Sequence, residues 1–316
     1  MKSTGRFTRE LLTLRSRSYD RCQSCGNLLH QGIPAYAGYA DDQSPRYVGE
    51  CCLPELSELA THVYWWWEVD KRVDPATKLW RYMDLAKFLH MLETNSLFFS
   101  RADRLGDPFE GASGRADRQP EWDNFNISYF QKLIRNPPEG YVSLPESEVE
   151  EKAKQLLGDY KEQIQRDRKR TFVSCWHANT GESEALWRLY CPPGAAGVAI
   201  ETTAGLLTDA LDAADVEIGQ VQYIDFAKSF TGTHDRIFWK RNSLRHEAEV
   251  RAVIRHRFGD ERESIEKPVD IGKLVVSLVA SPFAPGWIGG LIESVVRRYG
   301  TGIEVIKSEL LAEPFF

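Results

Sequence analysis

Beyond residue 78 the chain alternates short apolar runs with longer amphipathic ones. The short runs are rich in Val, Ile, Phe and Tyr, which predicts β-strands. The predicted strands are LWRYM, SLFFS, TFVSCWH, GVAIET, EIGQVQYID, AEVRAVIRH, KLVVSLVAS and GIEVIKS. Because helical patterns are interspersed among them, we expect an α+β protein with a mixed central sheet and flanking helices.

Apolar residues at helical spacing predict helices between these strands. In DLAKFLHMLETN, one face is expected to carry Leu85, Phe88, Leu89 and Leu92. Asp84 is the expected N-cap. Further helices are predicted in ESEALWRLY, TAGLLTDALDAA and GWIGGLIESVVRRYG. Residues 115–170 contain few β-branched residues and many charges, and they predict a helical insertion between core strands.

The N-terminal part has a cysteine pattern typical of small zinc units. RCQSCGNLLHQG contains C-x-x-C followed by glycine, a spacing at which both thiolates reach one ion. PAYAGYA and PRYVG predict a hairpin, and the next segment predicts a helix. We therefore expect a treble-clef-like unit with one structural zinc. The expected ligands are Cys22, Cys25, Cys51 and Cys52.

One detail departs from this zinc pattern. Cys51 and Cys52 are adjacent, and neighbouring residues rarely both reach one metal, so His30 or His62 is an alternative fourth ligand. A redox dithiol is the other interpretation, although no thioredoxin-like context surrounds the motif. A closed site with four ligands stabilises a fold and does not catalyse.

These patterns divide the chain into two predicted domains. Residues 1–69 hold a basic arm, helical or disordered, and the zinc unit. A polar linker follows, and residues 79–316 form the α+β domain that is expected to carry catalysis.

Composition narrows the function classes. The formal net charge of −6 argues against a uniformly basic nucleic-acid coat but leaves room for a local basic groove. No apolar run reaches the roughly 20 residues of a membrane helix, and the N-terminus lacks the apolar core of a secretion signal. We expect a cytoplasmic protein with no membrane partner and with reduced cysteines.

The segment LFFSRADRLGDPFEG ends a predicted strand in a dense group of charges. Gly106 and Pro108 explain a turn, but a turn does not require this many charged residues. A solvated loop and the rim of a site both fit. In the second interpretation, Asp107 and Glu110 contribute to the site, with Gly106 at positive φ and Pro108 directing the Asp107 carboxylate.

Four blocks stand in a recognisable order. They are LWRYMDLAKFLHMLETNSLFFSRADRLGDPFEG, TFVSCWHANTGESEALWRLYCPPGAAGVAIE, FWKRNSLRHEAEVRAVI and a C-terminal strand–helix–strand. This arrangement resembles the bacterial DUF2971 family, a domain of unknown function, over roughly residues 79–310. Gly106 and the Cys-Trp pair after Ser174 depart from the family pattern. The resemblance implies no established reaction.

The order of charged groups also resembles ADP-ribosyltransferase-like folds. That resemblance implies an Arg on the first strand, a Ser on a second and a Glu, often as E-x-E, on a later one. Here these would be Arg81, Ser174, and Glu247 with Glu249. The Arg would hold NAD⁺, and a carboxylate would stabilise the oxocarbenium-like ribose as nicotinamide leaves. Strand alternation would place Glu247, Glu249 and Arg251 on one face.

Other side chains near these strands complete the candidate site. The further catalytic candidates are Ser100 and His177, and the substrate-binding candidates are Arg101, Trp176, Trp187, Tyr190, Lys240 and Arg251. Each also has a structural interpretation. The arginines and glutamates would form ion pairs, and the histidine, the serines and the aromatic residues would belong to the core.

Two other functions remain open. The carboxylates of Asp107, Glu110, Glu247 and Glu249, with His177, are ligands of the kind that hold Mg²⁺ or Mn²⁺ in nucleases. A zinc unit beside such a site would then bind DNA or RNA, and a base-modifying enzyme would use the same groove. The basic residues expected to follow the nucleic-acid backbone are those of QRDRKR at 165–170, with Lys228, Lys240, Arg241 and Arg245. The third interpretation is a non-catalytic nucleotide-binding component of a bacterial defence system, with a protein partner from the same operon.

Overall fold

The structure is a computed structural model that describes residues 6–11, 22, 25–27, 34–39, 45–49, 71–136, 144–211, 215–231, 235–256 and 262–316. Within these residues the strands are β1 (Arg6–Leu11), β2 (Pro34–Tyr39), β3 (Pro45–Gly49), β4 (Lys78–Asp84), β5 (Ser96–Arg101), β6 (Thr171–Ala178), β7 (Gly197–Thr203), β8 (Val216–Gln220), β9 (Gln222–Ile224), β10 (Trp239–Arg241), β11 (Glu249–Arg255), β12 (Ser264–Pro268), β13 (Ser277–Ala280) and β14 (Glu304–Ile306). The α-helices are α1 (Leu85–Thr94), α2 (Gln119–Arg135), α3 (Glu146–Arg170), α4 (Glu184–Tyr190), α5 (Ala204–Leu211), α6 (Ile271–Leu274) and α7 (Trp287–Tyr299).

The chain folds as two compact units. The first comprises Met1–Asp70, Asp107–Arg166 and Gln222–Asn242. The second comprises Lys71–Gly106, Asp167–Val221 and Ser243–Phe316.

The second unit is built on one large sheet. Among the described residues it has nine strands, seven of them in the order β12-β5-β6-β4-β7-β13-β14, while β11 pairs with both β6 and β8. All of these pairs are antiparallel except β13 with β14. The predicted α+β fold with a mixed central sheet is confirmed.

Both faces of this sheet are covered because side chains alternate along each strand. On β4, Leu79 and Met83 join the main core with residues of α1, α5 and α7. Trp80 and Tyr82 point to the other face and pack with Leu186 and Trp187 of α4. Asp84 caps α1 as expected, since its Oδ1 accepts a hydrogen bond from the Lys87 backbone N–H at 2.9 Å.

The first unit contains the helical insertion. Helices α2 and α3 form within the predicted range, and Trp122, Leu157, Ile164 and Phe230 pack into a small core. The same unit has a three-stranded antiparallel sheet, β1-β2-β3, and a parallel pair of β9 with β10. The predicted pairing of PAYAGYA with PRYVG is present as β2 with β3.

Several local predictions are wrong. The N-terminal arm was expected to be helical or disordered, but Arg6–Leu11 pairs with β2, because a strand edge offers backbone partners that local propensity does not reveal. EIGQVQYID was predicted as one strand but forms β8 and β9 in separate sheets. The start of KLVVSLVAS belongs to α6 instead of a strand, and the sequence pattern missed β10 and β12.

Within the described residues, no helix has both the length and the apolar character needed to span a membrane.

Candidate functional site

In the second unit, β4 and β5 pair with different parts of the same edge of β6 and diverge between them. β11 pairs with the opposite edge along nearly the whole strand. On the near edge, β4 pairs with His177 and Ala178, and β5 pairs with Phe172 and Val173. In this register neither strand pairs with residues 174–176, and we call this stretch the sheet gap.

The Arg81 side chain reaches from β4 to the sheet gap. Its Nη1 donates to Ser174 Oγ at 2.9 Å, and its Nη2 donates to the backbone oxygen of Phe98 on β5 at 3.2 Å. The guanidinium carbon lies 5.4 Å from the centre of the Trp176 ring, which is buried. A cation over an indole face is favoured by the ring quadrupole. Arg81 therefore links the two diverging strands across the gap.

The charge of Arg81 is not neutralised by the described part of the chain. Its hydrogen bonds there go to a hydroxyl and a backbone carbonyl, and no described carboxylate forms an ion pair with it. Burial lowers the pKa of Arg81 from its ordinary value, against opposing effects of Cys175 and Tyr190. An arginine remains protonated despite such a shift. The sheet gap therefore presents a partly desolvated cation that an anionic ligand would neutralise.

An aromatic cluster lies on the sheet face that α4 covers. The rings of Tyr82 and Tyr190 stack with centres 6.4 Å apart and an interplanar angle of 13°. His177 lies 5.5 Å from Tyr190, and Trp187 meets Tyr82 edge-on at 4.9 Å. Burial is the main reason why the pKa of Tyr82 is raised to about 12. Tyr190 is 39% exposed, so it is the ring of this cluster that a ligand can reach from solvent.

The predicted E-x-E strand does not form as expected. β11 begins at Glu249, while Glu247 ends a 3₁₀ turn, and Ala248 between them has φ +41°. This left-handed backbone interrupts the alternation, so Glu247 does not share a strand face with Glu249. The backbone carbonyl oxygen of Glu247 accepts a hydrogen bond from His177 Nδ1 at 2.8 Å. That bond places the His177 proton on Nδ1 in the neutral ring.

Glu249 and Arg251 form a buried ion pair. The Arg251 Nε and Nη2 donate to the two carboxylate oxygens of Glu249 at 2.9 and 3.0 Å. The two residues are 1% and 0% exposed. Both side chains lie on the same face of β11, as strand alternation predicted. An isolated charge buried on that face would be unfavourable, and here each charge neutralises the other.

The candidates on β5 have local partners. Arg101 is buried, and its Nε and Nη2 donate to Asp103 at 2.6 and 3.3 Å, while Nη1 donates to the Arg262 carbonyl oxygen at 3.0 Å. Ser100 lies opposite Val173 of β6, one position beyond the sheet gap. Arg101 is therefore committed to structural contacts, whereas Ser100 borders the gap.

The charged GDPFEG turn belongs to the first unit, apart from Gly106. Asp107 binds Arg241, with 2.7 Å from Oδ1 to Nη2, and its Oδ1 also accepts from the Phe109 backbone N–H at 3.1 Å. Glu110 lies 3.7 Å from the Lys240 ammonium, and both are buried. Positive φ occurs at Gly111 and not at Gly106, so the expectation for Gly106 is wrong. The direction of the Asp107 carboxylate is set by this side-chain turn and by Arg241.

The expected zinc ligands are only partly described. At Cys22, the backbone N–H donates to the Asn27 oxygen and the backbone oxygen accepts from the Gly26 N–H, each at 2.7 Å. Gly26 has φ +76°, which glycine adopts readily. This turn is compatible with two thiolates converging on one ion. Cys51, Cys52, His30 and His62 lie outside the described residues.

Within the described residues, no group of three or more His, Cys, Asp or Glu side chains is arranged to hold a metal ion. The carboxylates considered for Mg²⁺ or Mn²⁺ are divided between the two units, and three of them bind basic side chains. The expectation that Asp107 and Glu110 close over the pocket of Arg81 and Ser174 stays a prediction.

No family model matches the chain, and comparisons with curated proteins and with solved structures give no match. The resemblances to the DUF2971 family and to ADP-ribosyltransferase-like folds therefore stay predictions.

Two residues of this region are not singled out by the sequence pattern. Tyr82 stacks on Tyr190, and its position two residues after Trp80 on an alternating strand is the only signal for it. Glu182 accepts three hydrogen bonds from two segments that are far apart in sequence, and nothing local indicates such contacts.

Proposed function

We propose that the second unit binds a nucleotide through its phosphates at Arg81, and that the protein is an enzyme using NAD⁺ in an ADP-ribosyltransferase-like reaction. The observation that carries this proposal is the partly desolvated guanidinium of Arg81 without a described carboxylate partner. A structural arginine of this kind is ordinarily paired, because an isolated buried charge is costly. A phosphate oxygen is the group that its planar donors fit best.

The aromatic cluster supports a ligand with a planar ring. Tyr190 is partly exposed, and Tyr82 stacks against it from within the protein. Stacking of a base or a nicotinamide ring on such a tyrosine contributes about 1–3 kcal/mol to the free energy of binding. Arg81 starts from the sheet face opposite Tyr82, because the two are neighbours on an alternating strand. The electrostatic effect of Tyr190 on the pKa of Arg81 supports a guanidinium that reaches toward Tyr190 through the sheet gap. Phosphate at Arg81 and a ring at Tyr190 would together describe a nucleotide.

The proposed chemistry breaks the bond between the ribose and nicotinamide. Nicotinamide leaves with the bonding electrons, and the ribose carbon becomes positively charged until an acceptor nucleophile attacks it and loses a proton. Glu249 is the carboxylate we assign to stabilise that charge. Glu249 is 1% exposed and is held by Arg251 through both oxygens, so the reaction requires this buried pair to open toward the ligand. Ser174 holds the Arg81 guanidinium in place.

The decisive experiment is calorimetric titration of the full chain with NAD⁺ in the presence of EDTA. We expect binding by the wild type, and a loss of roughly 10–100-fold for Arg81→Ala, the usual range for a charged hydrogen-bonding group. Arg298→Ala is the matched control, because Arg298 is an exposed arginine on α7 of the same unit.

Other results would contradict the proposal in distinguishable ways. No binding of NAD⁺ by the wild type would refute it. Binding of DNA or RNA only with Mg²⁺ or Mn²⁺ would favour the nuclease alternative. Binding of NAD⁺ without release of nicotinamide would favour a nucleotide-binding component that does not catalyse.

For the N-terminal part we propose a structural zinc. The support is the C-x-x-C-Gly spacing and the glycine turn between Cys22 and Asn27. Elemental analysis of protein purified without added metal is expected to give about one zinc per chain. Structural zinc contributes on the order of 10 kcal/mol in small sites, so Cys22→Ser is expected to unfold this part. Metal-free protein whose stability is unchanged by Cys22→Ser would refute the assignment.

A further inference from the structure

A carboxylate behind the aromatic cluster connects two distant segments of the second unit. Glu182 Oε2 accepts hydrogen bonds from Trp187 Nε1 on α4 and from Ser308 Oγ, both at 2.8 Å. Its Oε1 accepts from the Glu309 backbone N–H at 2.7 Å. A single carboxylate therefore ties α4 to the 3₁₀ turn of Glu309–Leu311.

The same contacts lead to the exposed tyrosine of the candidate site. Trp187 is fully buried and packs edge-on against Tyr82, which stacks on Tyr190. The residue after Glu182, Ser183, donates its backbone N–H to the Tyr82 hydroxyl at 2.8 Å and caps α4 with its own side chain. Tyr190 is the last residue of that helix. The position of its ring therefore depends on contacts at both ends of α4.

We propose that Glu182 is a positioning residue that fixes the Tyr190 ring for the base or nicotinamide of the ligand, with the turn at Ser308 as its second anchor. This inference rests on the proposed function, because it assigns a role within the same nucleotide site. Glu182 does not touch the ligand. A charge-assisted acceptor with three donors holds its neighbours more firmly than a neutral one, since such bonds are roughly twice as strong.

The test separates the ring from the phosphate. Titrate wild type, Glu182→Gln and Ser308→Ala with NAD⁺ and with inorganic pyrophosphate. We expect both variants to weaken NAD⁺ binding by about tenfold and to leave pyrophosphate within about twofold, because Arg81 is untouched. Glu184→Gln is the matched control, since Glu184 binds the exposed Arg188 on the same helix.

Hydrogen exchange of the same proteins makes the result independent of the ligand. We expect Glu182→Gln to accelerate exchange in α4 and in residues 308–311 together. Equal losses for both ligands, or unchanged NAD⁺ binding, would overturn the positioning role. If the wild type binds neither ligand, the proposed function fails and the ring assignment with it. In either case, unchanged hydrogen exchange in α4 of Glu182→Gln would refute the claim that Glu182 holds α4 to the turn at residues 308–311.

Discussion

The sheet gap and the GDPFEG turn are two charged regions that the sequence marks with similar emphasis. In the turn, Asp107 is matched by Arg241 and Glu110 by Lys240. In the gap, Arg81 meets a hydroxyl, a carbonyl and an indole, but no described carboxylate. Of these two regions, the turn has the denser charge in the sequence, and its carboxylates face basic side chains in the structure.

This difference teaches which charges to consider for ligand binding. A balanced pair needs no further partner, and its removal is felt as lost stability. A desolvated charge without a counter-ion costs stability in the free protein, and a ligand of opposite charge recovers that cost. Substitutions in the two regions should therefore have opposite consequences.

The largest expected effect concerns the buried pair on β11. Glu249→Gln leaves Arg251 buried without its counter-ion, which we expect to cost about 3–5 kcal/mol in the free energy of unfolding. Replacing both residues by apolar ones of similar volume should recover most of that loss. Denaturant unfolding of the single and double variants measures both values. A single variant as stable as the wild type would mean that the pair is free to act in catalysis without structural cost.

The next effect tests the balanced region. Asp107→Asn keeps the oxygen that accepts from the Phe109 N–H but removes the charge facing Arg241, so we expect a loss of about 1–2 kcal/mol. NAD⁺ binding should be unchanged. If Asp107 instead belongs to the site, the other interpretation of the sequence, Asp107→Asn should abolish activity and leave the melting temperature within a few degrees. Measuring both quantities on one preparation decides between them.

Arg81→Met should behave in the reverse manner. Methionine keeps an unbranched apolar side chain but lacks the guanidinium that lies over the Trp176 ring, so we expect stability to change by less than about 1 kcal/mol. NAD⁺ binding should weaken by roughly 10–100-fold, as for Arg81→Ala. A large fall in stability would show that the main role of Arg81 is structural, as the hydrogen-bond donor to Ser174 and to the Phe98 carbonyl oxygen. The sheet gap and the GDPFEG turn would then not differ in the way described.

The last prediction is a pH dependence that tests the description of the aromatic cluster. The pKa of Tyr82 is about 12 in the folded protein against an ordinary value of 10.0. Burial favours the neutral phenol, so its contribution is complete below pH 10 and is lost as pH rises through 12. Stability should therefore decline over this window, and Tyr82→Phe should reduce the slope. If stability falls with pH equally steeply in Tyr82→Phe, groups other than Tyr82 cause the decline.

Much of the candidate site was accessible from local patterns. Alternation in LWRYM separates Arg81 from its neighbours Trp80 and Tyr82, and the helix after Asp84 follows from its cap and apolar spacing. The pairing of Glu249 with Arg251 was one of the two interpretations that the sequence left open. These features depend on residues close together in the chain.

The sequence by itself determined the α+β class, most strand and helix positions, and the residue types available for chemistry. Only the tertiary structure decided that β4 and β5 diverge along β6, that Ala248 separates Glu247 from β11, and that Glu182 joins α4 to the turn at Ser308. The physical reason is that charge compensation and strand pairing are set by neighbours in space. Local periodicity fixes which way a side chain points, but not which distant group it meets.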